Sequence, residues 1–335
     1  MKKSHAVPKL SRRFFGTLLL AAASASLAAV QPAGAADAWP SKPITIVCAF
    51  PPGNASDLIA RVLGEQLSAR LHTPVLVDNR PGASGIIAAS AVQKAVPDGH
   101  TLLMTSTSFI INKSVLLKVP YDADRDFTPV SLVNAIPAVL IVDKSSPAND
   151  FKELLAQIRQ RPGKLSYGHP GAGTIQNLSM KLLLQHVDAN VLEVPYKGSM
   201  QAVTDINGGS LDMMFEAANS VYTLVQSGRV RALATTSPTR YSMLPEVPTL
   251  RELGIDETVV GFTALMAPAG TPPEITARLN KMVEDIMKMP ATQAREKTMG
   301  LENFPPMSTA EVGTWMKQEA SRWENVARVA NIPKE

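Results

Sequence analysis

Six residues of strand-forming type, Ile44-Thr45-Ile46-Val47-Cys48-Ala49, run directly into Phe50-Pro51-Pro52-Gly53-Asn54-Ala55-Ser56-Asp57, and a helical pattern opens at Leu58. This junction dictates strand, sharp turn and helix in that order. The prolines cannot continue a sheet, Gly53 frees the backbone to turn, and Ser56 or Asp57 is placed to cap the helix. Backbone N–H groups at such a turn point into a crevice and attract carboxylates or phosphates. The junction therefore constrains both the fold class, α/β, and the place of the site, beyond the ends of the strands.

The N-terminal segment has a separate logic. Residues 1–35 carry Lys2, Lys3, Lys9, Arg12 and Arg13, an apolar run over 14–30 and small residues at Ala33-Gly34-Ala35, the layout of an export signal. Ser11-Arg12-Arg13-Phe14-Phe15 fits a twin-arginine signal or an Arg pair in an ordinary secretory one. A second Ala-x-Ala match at Ala36-Asp37-Ala38 leaves cleavage after residue 35 or after residue 38. The segment holds no acidic residue, so removing its five cations from the formal charge of +4 leaves −1. That balance provides no basic stripe for nucleic acid or an anionic membrane, and no later apolar run approaches the ~20 residues of a membrane span. A soluble, monomeric periplasmic protein is expected. Cys48 is the single cysteine; it can form no internal disulfide, and its apolar strand indicates packing rather than reactivity.

The remaining roughly 300 residues exceed one ordinary core and suggest two lobes. Helical pattern over 58–71, strand 75–77, helix 85–94, strand 101–104 and a helix-like 111–118 complete a βαβαβ half. A long apolar strand over 130–142 leads away, followed by helix 150–161, strand 165–167, helix 174–185, strand 191–194, helix 200–206, strand 211–215, helix 221–227 and strand 232–235. Strand 259–267 then returns the chain, and helices 273–287, 290–298 and 309–329 complete the first half. The expected division is 1–35 signal, 36–140 with 260–335 as lobe 1, and 141–259 as lobe 2. Each lobe is a β-sheet flanked by helices, with the ligand in the crevice between them.

Tyr167-Gly168-His169-Pro170-Gly171-Ala172-Gly173-Thr174 repeats the logic of the first junction in the second lobe. Taken alone its glycines serve backbone geometry; paired with the first loop they suggest two anion-binding ends facing one crevice. Ser106, Thr107, Ser108 and Thr174 can add hydroxyls. Pro195-Tyr196-Lys197-Gly198 also joins a strand to a helix, and Glu216 and Asn219 follow a strand, bordering the same crevice. A carboxylate at Glu216 would suit a ligand ammonium, or face water. Met180, Met213, Met214 and Met266 read as core fillers.

Catalysis finds little support. Beyond the signal only His72, His100, His169 and His186 are available, and the first two and the last read as surface or capping residues. His169 lies in the second loop, where it either touches ligand or packs. There is no His-Glu-x-x-His, no Gly-x-Ser-x-Gly, no Cys/His cluster and no Walker phosphate loop. No metal or cofactor is expected.

Taken in order, Trp39-Pro40-Ser41-Lys42-Pro43-Ile44, Phe50-Pro51-Pro52-Gly53, Asn79-Arg80-Pro81-Gly82-Ala83-Ser84-Gly85, Pro97-Asp98-Gly99-His100-Thr101-Leu102, Phe127-Thr128-Pro129-Val130, Pro195-Tyr196-Lys197-Gly198 and Leu244-Pro245-Glu246-Val247-Pro248-Thr249 strongly resemble the Bug family of periplasmic solute receptors of tripartite tricarboxylate transporters. The resemblance spans nearly the whole chain after the signal. It implies a two-lobed periplasmic-binding fold, type II-like, that closes on a small carboxylate, often through bridging waters. It further implies a ligand-facing set: Phe50, Pro51, Gly53, Asn54 and Asp57, then Gly82 and Ser84, then Ser106, Thr107 and Ser108. From the second lobe it adds Gly171, Ala172, Gly173 and Thr174, and Tyr196, Lys197 and Gly198. Two departures stand out. Where the family has Pro-Gly-Gly this chain has Pro52-Gly53-Asn54, so Asn54 is expected at positive φ. Where the family often has Gly-Ser-x-x-His-Leu this chain has Gly173-Thr174-Ile175-Gln176-Asn177-Leu178, which puts an amide at Asn177.

The combined expectation is a non-enzymatic receptor that captures a small organic acid and presents its closed form to membrane transporter subunits. The acid is a di- or tricarboxylate, an amino acid or an aromatic carboxylate, and the few loop aromatics favour an aliphatic one. Rival readings are an orphan receptor signalling to a sensor kinase and a periplasmic enzyme using His169 and Asp57.

Overall fold

The computed structural model describes residues 39–171, 173–329 and 334; the expected export signal and Ala172 lie outside them. The first elements are β1 (Ile44–Cys48), α1 (Ala55–Leu71) and β2 (Val75–Asn79), then a 3-10 turn at Ala83–Gly85 leading into α2 (Ile86–Gln93), β3 (Thr101–Ser106) and α3 (Ser108–Val115). The long β4 (Phe127–Asp143) leads to α4 (Phe151–Gln160), β5 (Ser166–His169), α5 (Ile175–His186), β6 (Leu192–Pro195), α6 (Ser199–Asn207), β7 (Met213–Ala217), α7 (Ala218–Gln226) and β8 (Val230–Thr235). Then come β9 (Val260–Pro268), α8 (Pro273–Met287), α9 (Pro290–Thr298), β10 (Glu302–Asn303) and α10 (Thr309–Val329). No helix among the described residues is long and apolar enough to cross a membrane.

These strands form one mixed, ten-stranded sheet among the described residues, ordered β2-β1-β3-β9-β4-β7-β5-β6, with β8 and β10 also pairing to β4. β4 is what joins its halves. From Phe127 to Pro137 it lies antiparallel to β9, and from Ala138 onward it pairs with β7 and β8. Residues 139–142 are apolar without alternation because helices cover both faces. Leu140 and Val142 enter a core with Tyr167, Met213 and Phe215, while Val139 and Ile141 enter another with Val203, Met214 and Tyr241. Met180, Met213, Met214 and Met266 are fully buried.

The middle of β4 and the segments leading out of β8 and into β9 are pinned by one side chain. The Thr236 hydroxyl accepts from Ala138 N–H at 2.9 Å and donates to the Val259 carbonyl at 2.5 Å, while backbone bonds of 2.9 Å run from Thr236 N–H to Ala138 O and from Val259 N–H to Thr236 O. Thr236 has no exposed surface.

Some local expectations differ from what is found. His100 is not a surface residue: it is 7 % exposed, its Nδ1 lies 3.2 Å from Asp98 Oδ1, and Asp98 pairs with Lys42 at 2.8 Å. Glu216 lies within β7 rather than after it, and β10 is too short to show an alternating pattern. The 85–94 helix opens one residue later, because the chain first makes a left-handed turn at Ala83 and Ser84.

Replacing Thr236 by Val leaves the Ala138 N–H without its buried side-chain acceptor, at a cost of about 1–3 kcal/mol. Urea unfolding of Thr236→Val should show a lower midpoint at an unchanged slope; an unchanged midpoint would mean that the junction does not depend on this hydroxyl.

Candidate functional site

In the first loop the helix cap is Asn54, not Ser56 or Asp57. Its side chain accepts from Ser56 N–H at 2.9 Å, and it does so in extended backbone, φ −67°, rather than at positive φ. An Asx side chain satisfies an orphan amide of the first helical turn from that conformation, so nothing favours the left-handed region here. Gly53 carries the positive φ, +85°, and a Cβ added there would meet nothing within 4 Å.

Asp57 lies underneath the loop at 1 % exposure. Its Oδ2 accepts from Gly53 N–H at 2.8 Å and Arg61 Nε at 3.1 Å, and its Oδ1 accepts from Asn79 Nδ2 at 2.7 Å and an Arg61 terminal nitrogen at 2.9 Å. Asn79 Nδ2 also donates to Phe50 O at 3.0 Å, so the 50–57 loop is tied at both ends to one buried carboxylate and one amide. Desolvation pushes this carboxyl up, but the Arg61 hydrogen bond, the Gly53 amide and Asn79 outweigh it and hold it below the usual carboxylate range. Asp57 therefore shapes the loop. Cys48, just before it, is buried, and burial pushes its thiol up, away from reactivity.

The ends of β2 and β3 meet this loop. An added Cβ on Gly85 would stand 3.4 Å from Ala49 Cβ and 4.0 Å from Ser108 Oγ, which puts the exposed Gly82 and Ser84 turn beside residues 106–108. The Ser106 and Ser108 hydroxyls lie 3.1 Å apart. Thr107 is turned inward, its Oγ1 accepting from Phe262 N–H at 2.8 Å.

The second loop is built by the same means. The Thr174 hydroxyl donates to Gly171 O at 2.8 Å and accepts from Asn177 N–H at 3.4 Å, capping α5. Gly171 N–H donates to His169 Nδ1 at 3.1 Å. His169 is 3 % exposed, and Asn177 has no exposed surface and accepts from Tyr167 OH at 3.0 Å, so both lie behind the loop. Tyr196 OH donates to Asp205 Oδ2 at 2.8 Å, while Lys197 is exposed and a Cβ on Gly198 would meet open space. Glu216, 3 % exposed, is faced by Ser199 and Ser220 side chains, Gln176 and the Ala217 amide, which brings the starts of α5, α6 and α7 around it. Burial pushes its carboxyl up against those contacts. A carboxyl driven toward its neutral form serves as a hydrogen-bonding group more than as a counter-ion for an ammonium.

The second loop packs against a helix of the first half of the chain. A Cβ on Gly173 would stand 2.5 Å from Val115 Cγ2 and 3.6 Å from Ile111 Cγ2, so the second loop rests on α3, which begins at Ser108 of the first lobe. Gly261 similarly lies where an added Cβ would be 2.9 Å from Ile175 Cδ1 and 3.3 Å from Thr107 Oγ1. A separate cavity of about 930 Å³, lined among others by Phe109, Tyr121 and Lys317, shares no residue with either loop. Sequence reasoning missed Arg61, Asn79, Gln176, Ser199 and Ser220. Arg61 was within reach of it as the i+4 partner of Asp57 on a helix, whereas Asn79 is 22 residues from Asp57 in the chain and entered only as part of the family landmark 79–85.

This architecture has known relatives. Residues 59–332 match the family model described as the tripartite tricarboxylate transporter family receptor. Protein BugT of Bordetella pertussis is 35 % identical over 297 residues, covering 88 % of this chain and 90 % of BugT. Among solved structures, R. palustris Rpa4515 with adipate superposes with a TM-score of 0.79 at 31 % identity, covering 89 % of this chain and all of that one. MatC (Rpa3494) from Rhodopseudomonas palustris with bound malate does so with a TM-score of 0.74 at 29 % identity, covering 86 % of this chain and 99 % of that one. The chain thus belongs to the Bug-type receptor family of tripartite tricarboxylate transporters, a family of periplasmic solute-binding proteins.

Proposed function

We propose that this protein is a periplasmic receptor that captures a small aliphatic dicarboxylate between two lobes and delivers it to a tripartite tricarboxylate-type transporter. The observation that carries this reading is the pair of strand–turn–helix loops, 50–57 and 169–175, each with one amide tied back by a buried side chain and the second resting on α3. Residues 36–140 with 260–335 form one lobe and 141–259 the other. The 50–57, 82–84 and 106–108 segments hold one ligand carboxylate, directly or through water. The 171–174 and 196–198 segments hold the other, with Asn177 and Glu216 supporting them from behind. Helix N-terminal amides suit an anion at each end, each contributing roughly 0.3–1 kcal/mol when exposed and more when enclosed. Adipate and malate, the ligands of the two similar receptors, set the class. Ligand bridging both loops favours the closed population by its differential affinity, and a transporter reading lobe spacing then tells loaded from empty receptor.

Thermal shift and calorimetry with C4 to C6 dicarboxylates test this. Ligand at 100 times its dissociation constant adds about 2.7 kcal/mol of stability; saturating adipate, malate and their homologues with no shift would refute the class. Asp57→Ala should weaken binding and lower stability by about 1.5–3 kcal/mol, because the Gly53 amide loses a charged acceptor. Its carboxyl titrates lower in the fold than in the unfolded chain. That stabilisation is therefore complete above the unfolded value of about 3.9 and is lost as pH falls through the folded one. The acid limb of the stability profile should accordingly be shallower in Asp57→Ala. Gly173→Val should weaken binding by roughly tenfold, about 1.4 kcal/mol, by wedging the loop off Val115. Adding Val115→Ala should restore part of the loss; no restoration would exclude the wedge.

A further inference from the structure

His169 was open to two readings, ligand contact or packing, and its geometry supports a third. We infer that His169 is a positioning residue: its ring, held as the Nε2–H tautomer, accepts the Gly171 N–H and fixes the second loop, and protonation of Nδ1 releases that loop. An imidazole nitrogen that accepts a hydrogen bond carries a lone pair, so the neutral ring with Nδ1 on the Gly171 amide at 3.1 Å has its proton on Nε2. Nε2 stands 3.1 Å from Glu193 Oε1, where a carboxylate favours that placement. The backbone that carries the ring is fixed, because His169 pairs with Pro195 in the β5–β6 ladder and its carbonyl accepts from Tyr196 N–H at 2.9 Å.

Gly171 is the residue on which the loop's shape turns. Its φ is +142°, its carbonyl receives both the amide, at 3.3 Å, and the hydroxyl, at 2.8 Å, of Thr174, and Thr174 caps α5. Among the described residues, it is His169 that holds its N–H side. Asp57 and Gly53 make the equivalent contact in the first loop, with an acceptor that stays ionised at neutral pH, whereas an imidazole does not stay an acceptor in acid. The groups around the ring are Glu193 from β6, Lys181 and Asn177 from α5 and Tyr167 from β5; Lys181 pairs with Glu193, and Tyr196, committed to Asp205, packs on neighbouring Gly168. Once Nδ1 is protonated, two N–H donors oppose each other at Gly171, so the tie is present above the ring's titration and lost as pH falls through it. The consequence, weaker carboxylate capture in acid, rests on the receptor reading; the ring–amide tie does not.

Nitrogen-15 NMR of the labelled protein without ligand decides the matter. At about pH 8, Nδ1 should resonate as an unprotonated and Nε2 as a protonated nitrogen. Scanning down to about pH 5 should reduce the protection of the Gly171 amide at least tenfold after correction for intrinsic exchange. His169→Asn, which places an amide oxygen near the Nδ1 position, should keep Gly171 protected at both ends of the scan. His169→Gln, which reaches the Nε2 position instead, should lose protection at both, and adipate affinity should follow the same order. A ring protonated on Nδ1 at pH 8 would overturn the inference, as would Gly171 protection indifferent to pH or His169→Asn behaving like His169→Gln. Should the variants fail to fold, the native ring shifts and pH scan still decide. Should the amide behave as expected while neither adipate nor malate binds at any pH, the tie stands and the dicarboxylate reading falls.

Discussion

β4 belongs to both halves of the sheet, and the rest of the molecule is arranged by that sharing. A strand apolar at every position over 139–142 must be covered on both faces, which draws the helices of the second half to either side. Backbone donors and acceptors along it must all be matched, so its change of partner from β9 to β7 and β8 leaves a junction that Thr236 closes. The halves of the sheet are further joined along one flank, where Leu178 and Leu182 of α5 enter the core that also holds Ile111, Val115 and Val326. Two further contacts tie the halves together: the Thr236 hydroxyl bridges Ala138 and Val259, and Gly173 meets Val115 of α3.

Within that frame both loops follow one rule with different chemistry. A glycine provides the turn, and a buried side chain behind it accepts that glycine's amide. Asp57 is backed by Asn79 and Arg61, and His169 by Glu193 and Lys181. The residues that looked most like ligand contacts, because they are polar and lie in the loops, are largely spent on holding backbone in place. On the receptor reading, backbone and hydroxyl groups are what is left to meet the ligand, and they suit carboxylate oxygens at little cost in reorganisation.

Much of this was legible in the residues. The strand–turn–helix junctions at 48–55 and 169–175, the long β4 and the return strand β9 follow from hydrophobic runs and turn chemistry. The starts of α8 and α9 follow from proline in the first turn. The cap at Asn54 was not legible, since Asn54, Ser56 and Asp57 compete within four residues and Asp57 is instead committed to the Gly53 amide. Of the surface and capping roles read for His100, the surface one fails: it is buried beside Asp98, which pairs with Lys42, a pairing no local pattern records. The tight packing of Gly168, whose Cβ would be 2.6 Å from Leu211 Cδ2, is likewise a product of tertiary contact.

The most direct test of the account is a crystal structure of the protein grown with adipate. One carboxylate is expected within hydrogen-bonding reach, directly or through a water, of the 50–57 and 106–108 segments, and the other within reach of the 171–174 and 196–198 segments. Adipate seated instead in the cavity beside Phe109, Tyr121 and Lys317, or touching only one of the two loops, would contradict it.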